Sequence, residues 1–187
     1  GMALHYVGRE EYRQKNSPEF IAVLRHQFGN FYAVPEGGSN TFALQGCAEM
    51  MTEITEPVNY ICVACGTGGT LAGMVAGYAG QAEIIGFPVL KGANFMYVDV
   101  ENLLREGNMT ASANWTLNLD YHFGGYAKKK PELMQFIDSF QQANGFSIEF
   151  VYTGKLFYGI YDLIKKGFFK KGSTVLGIHT GGLREGL

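Results

Sequence analysis

Tyr60-Ile61-Cys62-Val63-Ala64-Cys65-Gly66-Thr67-Gly68-Gly69-Thr70 is the stretch whose reading decides the fold. Ile61 to Cys65 reads as a buried strand. Gly66 to Gly69 is small or hydroxylated throughout, and Leu71 to Gly80 reads as a small-residue helix with Leu71, Val75 and Tyr78 on one stripe. Strand, glycine turn and helix make half of an α/β crossover unit. Such a turn aims bare backbone N–H groups and the positive end of a helix at an anion. Glycine is needed there because a Cβ blocks close approach or a positive φ. Thr67 and Thr70 add hydroxyls, and a phosphate is the natural ligand. The stretch is not a dinucleotide fingerprint, because Leu71 stands where the last glycine belongs. It is not a triphosphate loop either, because no Gly-Lys-Ser/Thr follows. Taken alone, it also fits a tight strand-to-helix turn that binds nothing.

The rest of the chain suits that unit. Its 187 residues suit one domain or slightly more, and 47% hydrophobic content supplies a core. Charged residues are sparse at 17% and the 26 glycines are many, as in an α/β protein with tight turns. A net charge of −2 gives no reason to expect nucleic acid or an anionic membrane as partner. The apolar runs are too short to span a bilayer. No leader pattern opens the chain, so a cytoplasmic location is expected. Cys62 and Cys65 are spaced C-x-x-C, but in a strand that spacing points to opposite faces, and no second pair completes a metal site. No metal is expected, and His5, His26, His122 and His179 are expected to be hydrogen-bonded structural residues.

Along the chain, Leu4 to Val7 and Phe31 to Val34 read as short strands. Ser17-Pro18-Glu19 starts a helix that Gly29 stops. Ser39 or Asn40 caps a helix from Thr41 to about Thr55, apolar at Leu44, Ala48 and Met51. After the glycine loop come a strand at Glu83 to Leu90 and a helix at Ala93 to Arg105, with Phe95, Val98 and Leu103 offered for burial. A strand is expected at Trp115 to Leu119, then an aromatic loop ending in Lys128-Lys129-Lys130, a solvated run. Pro131 starts a helix, Ile148 to Tyr152 is extended, Gly154 to Lys166 is helical, and Thr174 to His179 is the last strand. Alternating strands and helices predict a doubly wound, mainly parallel sheet flanked by helices. Sites in such sheets lie beyond the carboxyl ends of the strands. The loops 66–70, 152–155 and 180–182 fall there.

Four motifs then resemble one family: Val34-Pro35-Glu36-Gly37-Gly38-Ser39-Asn40, Cys65 to Thr70, Val151-Tyr152-Thr153-Gly154-Lys155 and Ile178-His179-Thr180-Gly181-Gly182. In this order and spacing they are similar to the 1-aminocyclopropane-1-carboxylate deaminase and D-cysteine desulfhydrase family. Its members use pyridoxal phosphate and have the tryptophan-synthase-β type of fold. The resemblance implies that Gly66, Thr67, Gly68, Gly69 and Thr70 cradle the cofactor phosphate. It implies that Tyr152 faces the substrate with Tyr126 nearby, and that Thr153 or Thr180 meets the pyridine nitrogen. Packing is the competing role for both tyrosines in a chain that has 11 of them.

The two branches of the family differ at two of these positions. The cyclopropane deaminases carry Glu after the tyrosine and Leu before the last Gly-Gly, and the desulfhydrases carry a hydroxyl residue and Thr. Thr153 and Thr180 therefore lean to β-elimination from a D-amino acid, giving pyruvate, ammonia and sulfide. The family's Schiff-base lysine in its Asn-Lys context and its Ser-Asn-His motif have no counterpart here. The expectation is that the chain begins near the end of the smaller domain (1–34, with the large cofactor domain over 35–187) and that about 100 residues belong upstream. Lys155 is expected to be structural and Lys91 to be at the surface. Apolar faces bared by such a loss favour a homo-oligomer. The competing function is a catalytically inactive fragment that binds a phosphate-bearing ligand or a partner chain.

Overall fold

The computed structural model describes residues 1–182, and the chain divides into two compact units, Gly1–Glu36 and Gly37–Leu187. The first unit carries α1 (Arg9–Arg13) and α2 (Pro18–Phe28), neither with a buried residue. The Ser17 hydroxyl accepts the amide of Phe20 at 3.1 Å, and Gly29 takes φ +76° to end α2. The strands expected at Leu4 to Val7 and Phe31 to Val34 are absent. A strand exists only as part of a ladder, and neither segment pairs with another.

The second unit contains α3 (Thr41–Met50), β1 (Tyr60–Cys65), α4 (Gly69–Gly77), β2 (Glu83–Pro88), α5 (Met96–Glu106), β3 (Trp115–Leu117), α6 (Pro131–Asn144), α7 (Thr153–Lys165) and β4 (Val175–Ile178). The strands form one sheet in the order β3-β2-β1-β4, and every pairing is parallel. β1 is therefore interior, with Ile61 opposite Ile84 on one side and Leu176 on the other. A parallel sheet is covered on both faces, which is why β1 reads as an unbroken apolar run. Ile61, Val63 and Cys65 join a core with α3, α4 and α5, whereas Cys62 and Ala64 face α7. The two cysteines thus sit on opposite faces, as the strand period requires. A third cluster, of Leu133, Ile137, Phe140 and Ile148, packs α6.

Two local expectations are corrected. α5 buries Met96, Val100 and Leu104, one stripe at i, i+4 and i+8, and leaves Phe95 and Val98 exposed. Individual hydrophobicity misplaces the helix phase, which the i+4 spacing sets. The extended run expected up to Tyr152 is instead a turn from Phe150 to Tyr152, because the side chain of Glu149 collects the amides there.

α3 and α4 approach unusually closely. Gly69, Gly73 and Gly77 form one stripe of α4. A Cβ on them would lie 2.4 Å from Ser39 Oγ, 2.4 Å from Cys47 Cβ and 2.4 Å from Ala48 Cα, respectively. The small-residue composition of α4 is therefore a packing requirement set by α3. Among the described residues, no helix is long and apolar enough to cross a membrane.

Candidate active site

The loop after β1 and the loop after β4 leave neighbouring parallel strands at the same end of the sheet, so they converge. They line a cavity of about 260 Å³ together with Gly37 and Tyr152. Its walls are Gly66, Thr67, Gly68, Gly69, Thr70 and Leu71 on one side and Thr180, Gly181 and Gly182 on the other. Among the described residues, none that lines the cavity is a lysine.

The glycine loop is built as an anion cradle. Gly68 is the residue before α4 and adopts φ +84°, a left-handed conformation that glycine takes without strain. The first intrahelical bond of α4 runs from the amide of Ala72 to the carbonyl of Gly68 at 2.9 Å. The amides of Gly69, Thr70 and Leu71 precede it and have no intrahelical acceptor, and no side chain caps that end. Thr67 is gripped from the far side: its hydroxyl lies 2.6 Å from that of Ser39, and Gly37 leaves room that a Cβ would fill against Thr67. Ser39 owes its place to the Asn40 cap of α3, where the Asn40 side chain accepts the amide of Ala43 at 2.9 Å.

Tyr152 lies across the opening. Its ring approaches Gly66 so closely that a Cβ there would be 3.2 Å from Cε1. Tyr126 stands edge-on to it, with ring centroids 6.1 Å apart. The structure thus brings Tyr126, Tyr152, Thr180 and the 66–70 loop together. Thr153 is different. It is fully buried, its hydroxyl accepts the amide of Glu149 at 3.0 Å, and it does not line the cavity.

Glu149 was not visible to sequence reasoning. Its carboxylate accepts the amides of Val151, Tyr152 and Thr153 at 2.5, 2.7 and 2.8 Å, and so covers the start of α7. Its side chain also lies against Gly182. His179 holds the other loop: Nδ1 accepts the amide of Gly181 at 3.2 Å, so Nε2 carries the proton and faces the carbonyl of Ser147 at 3.0 Å. An acid just before a helix start and a histidine before Gly-Gly are the only sequence signals of these two roles.

The model of the family described as pyridoxal-phosphate dependent enzymes matches residues 3–181. The chain belongs to the pyridoxal-phosphate dependent enzyme family. Among its relatives, an Arabidopsis thaliana protein named bifunctional D-cysteine desulfhydrase/1-aminocyclopropane-1-carboxylate deaminase, mitochondrial, is 31% identical over 98% of this chain and 50% of its own length. A Pyrococcus furiosus protein whose provisional name is 1-aminocyclopropane-1-carboxylate deaminase is 37% identical over 90% of this chain and 55% of its own. A crystal structure titled as an ACC deaminase homologue superposes with a TM-score of 0.78 at 29% identity, covering 96% of this chain and 57% of that one. The chain spans about half the length of the curated relatives it matches. The parallel sheet flanked by helices agrees with that structure, and pyridoxal phosphate is the cofactor of the family.

The residues present fit such a cofactor. Three amides without intrahelical acceptors suit a phosphate, and the residues carrying them line the cavity beside Gly66, Thr67 and Gly68.

Proposed function

We propose that the Gly37–Leu187 unit holds pyridoxal phosphate with its phosphate on Gly66 to Thr70, and that the protein acts on a small amino acid as a desulfhydrase or deaminase. The carrying observation is that Gly69, Thr70 and Leu71, whose amides start α4 without intrahelical acceptors, line the same cavity as Tyr152 and Thr180. Bound there, the cofactor supplies the electron sink that stabilises negative charge on an amino acid's Cα. The protein's part is positioning. In this reading the cradle would hold the phosphate by backbone N–H groups, Tyr152 and Tyr126 would wall the substrate side, and the Thr180 hydroxyl would serve the ring nitrogen.

D-cysteine is the favoured substrate over the cyclopropane acid. A hydroxyl partner to the ring nitrogen leaves a weaker electron sink than a carboxylate does, sufficient for expelling hydrosulfide. Thr180 lines the cavity, whereas the Thr153 hydroxyl accepts the amide of Glu149, which supports Thr180 as that partner. Loss of the proton at Cα, expulsion of hydrosulfide from Cβ and hydrolysis of the resulting enamine product give pyruvate, ammonia and sulfide. A second reading is phosphate-ligand binding without turnover; among the described residues, those lining the cavity include no lysine.

Titration of the protein with pyridoxal phosphate and with unphosphorylated pyridoxal tests the cradle. Preference for the phosphate ester, abolished by competing inorganic phosphate, is expected; equal binding of the two overturns it. Sulfide and pyruvate release from D-cysteine then separates the enzyme from the binding unit.

A further inference from the structure

Lys155 is fully buried, yet it does not line the cavity and, among the described residues, makes no ion pair. Its Nζ donates to the carbonyl of His122 at 3.0 Å and to that of Gly125 at 2.7 Å. Both carbonyls already close turns: His122 accepts the amide of Gly125 at 3.0 Å, and Gly125 that of Lys128 at 3.1 Å. One ammonium therefore ties two successive turns to the first turn of α7.

The loop it ties is costly to hold. Phe123, Gly124, Gly125 and Ala127 have φ of +53°, +100°, +124° and +52°. Phe123 and Ala127 carry side chains in the left-handed region, and such residues persist only where the surroundings over-determine them. Tyr126 lies inside this segment, edge-on to Tyr152. Tyr152 in turn sits three residues before Lys155 and rests on Gly66. Burying a lysine without a direct ion pair is costly, so a chain that needed only packing would use methionine or leucine here.

We infer that Lys155 is a positioning residue: by binding the His122 and Gly125 carbonyls it fixes the strained loop that presents Tyr126 to Tyr152 at the mouth of the cofactor cavity. The consequence for ligand binding rests on the function proposed above; the clamp itself does not. With the clamp in place, Tyr126 is held as a wall on the ring side of the ligand, while the phosphate cradle lies on other elements.

Hydrogen exchange on the protein as it stands is the first measurement. The amides of Gly125 and Lys128 should exchange much more slowly than in an unfolded chain; exchange at the unfolded rate would overturn the clamp. In Lys155→Met, which keeps the length and removes the donors, residues 122–128 should exchange about tenfold faster or more, the loss expected for a hydrogen bond from a charged group. The amides of β1 and β2 should stay as they were. Lys155→Gln keeps an N–H donor on a shorter stem and covers the case in which the methionine variant does not fold; its loop exchange should fall between. Equal loop exchange in wild type and variant, with both folded, sinks the proposal. For ligands, Lys155→Met should keep wild-type affinity for inorganic phosphate and lose about tenfold in affinity for pyridoxal phosphate. Failure of wild type to bind pyridoxal phosphate would count against the proposed function and leave the exchange result standing. Unchanged pyridoxal phosphate affinity in the variant would refute the positioning role.

Discussion

The hydroxyl of Thr153 accepts the amide of Glu149 at 3.0 Å and lies 3.3 Å from the carboxylate of the same residue. Thr153 is thereby satisfied inside the protein, and its neighbourhood already contains one carboxylate engaged by three amides. A second carboxylate cannot be paired there. Thr153→Glu should lower the unfolding free energy by about 3 kcal/mol or more, because it buries an uncompensated charge beside a like charge. Thr180 is exposed, so Thr180→Leu should stay within about 0.5 kcal/mol of wild type. Chemical denaturation of both variants checks this; a Thr153→Glu protein as stable as wild type would show that the site can open.

The glycine stripe of α4 gives a stability prediction with its own control. A Cβ at Gly77 would meet the backbone of Ala48 at 2.4 Å, and backbone cannot rotate away. Gly77→Ala should destabilise by about 1–3 kcal/mol through overpacking, despite alanine's better helix propensity. Gly46, in α3, has open space around its Cβ position, so Gly46→Ala should stabilise by about 0.5–1 kcal/mol. Thermal melts in which both substitutions have the same sign would contradict the close contact.

Some of this architecture is legible in the sequence, and the reasons are physical. β1 announces itself because a strand buried on both faces must be apolar at every position. The turn after it does so because only glycine tolerates φ +84° beside a ligand-sized cavity. Glu149 and Lys155 are not legible. Each acts on backbone groups, Glu149 on three amides and Lys155 on two carbonyls 30 and 33 residues away, and backbone carries no sequence signal. Motif position offers Thr153 or Thr180 to the ring without choosing between them; the turn at Phe150 to Tyr152 sets the Thr153 hydroxyl against Glu149, a backbone effect with no sequence signal.

Burial pushes the Lys155 ammonium down to about 8 from its ordinary 10.5, against the opposing pull of Glu149. The folded lysine therefore releases its proton while the unfolded one still holds it. Between pH 8 and about 10.4 the unfolded chain binds more protons, and stability rises with pH through that window. Below pH 8 both states are charged and the cost of burial is felt in full. Relative to Lys155→Met, the wild-type unfolding free energy should gain about 2 kcal/mol between pH 7 and pH 10, on a scale of about 1.4 kcal/mol per pH unit. The neutral amine retains two N–H donors, so the clamp on His122 and Gly125 survives the titration. Parallel urea titrations at the two pH values provide the comparison, and a difference that is flat or shrinks would show that Lys155 keeps its proton.

Burial also pushes the thiols of Cys62 and Cys65 up to about 12. They lie on opposite faces of β1 and cannot be bridged without breaking the strand. Cys47, half-buried against Thr70, is the accessible thiol of the three. In the native protein an alkylating reagent should modify Cys47 alone, and an oxidant should produce no Cys62–Cys65 disulfide. Peptide mapping by mass spectrometry before and after denaturation reads both outcomes, and native labelling of Cys62 or Cys65 would contradict the burial.

The cradle and the tyrosine above it meet at Gly66. Gly66 does not adopt a positive φ, so alanine is compatible with the backbone there. Its Cβ would lie 3.2 Å from Cε1 and 3.4 Å from the hydroxyl oxygen of Tyr152, distances that the ring relieves by moving a few tenths of an ångström. Gly66→Ala should therefore cost little stability, within about 1 kcal/mol. The amides of Gly69, Thr70 and Leu71 belong to the start of α4 and are untouched, so affinity for inorganic phosphate should be unchanged. Displacement of Tyr152 tilts the wall against which a ring-bearing ligand packs, and it disturbs the edge-on contact with Tyr126. Affinity for pyridoxal phosphate should then fall several-fold, on the order of 1 kcal/mol for a misplaced aromatic contact. Calorimetric titration with the two ligands separates these effects. A parallel loss of phosphate affinity would mean that Gly66 shapes the anion cradle itself, and no loss for either ligand would mean that Tyr152 does not contact the ring.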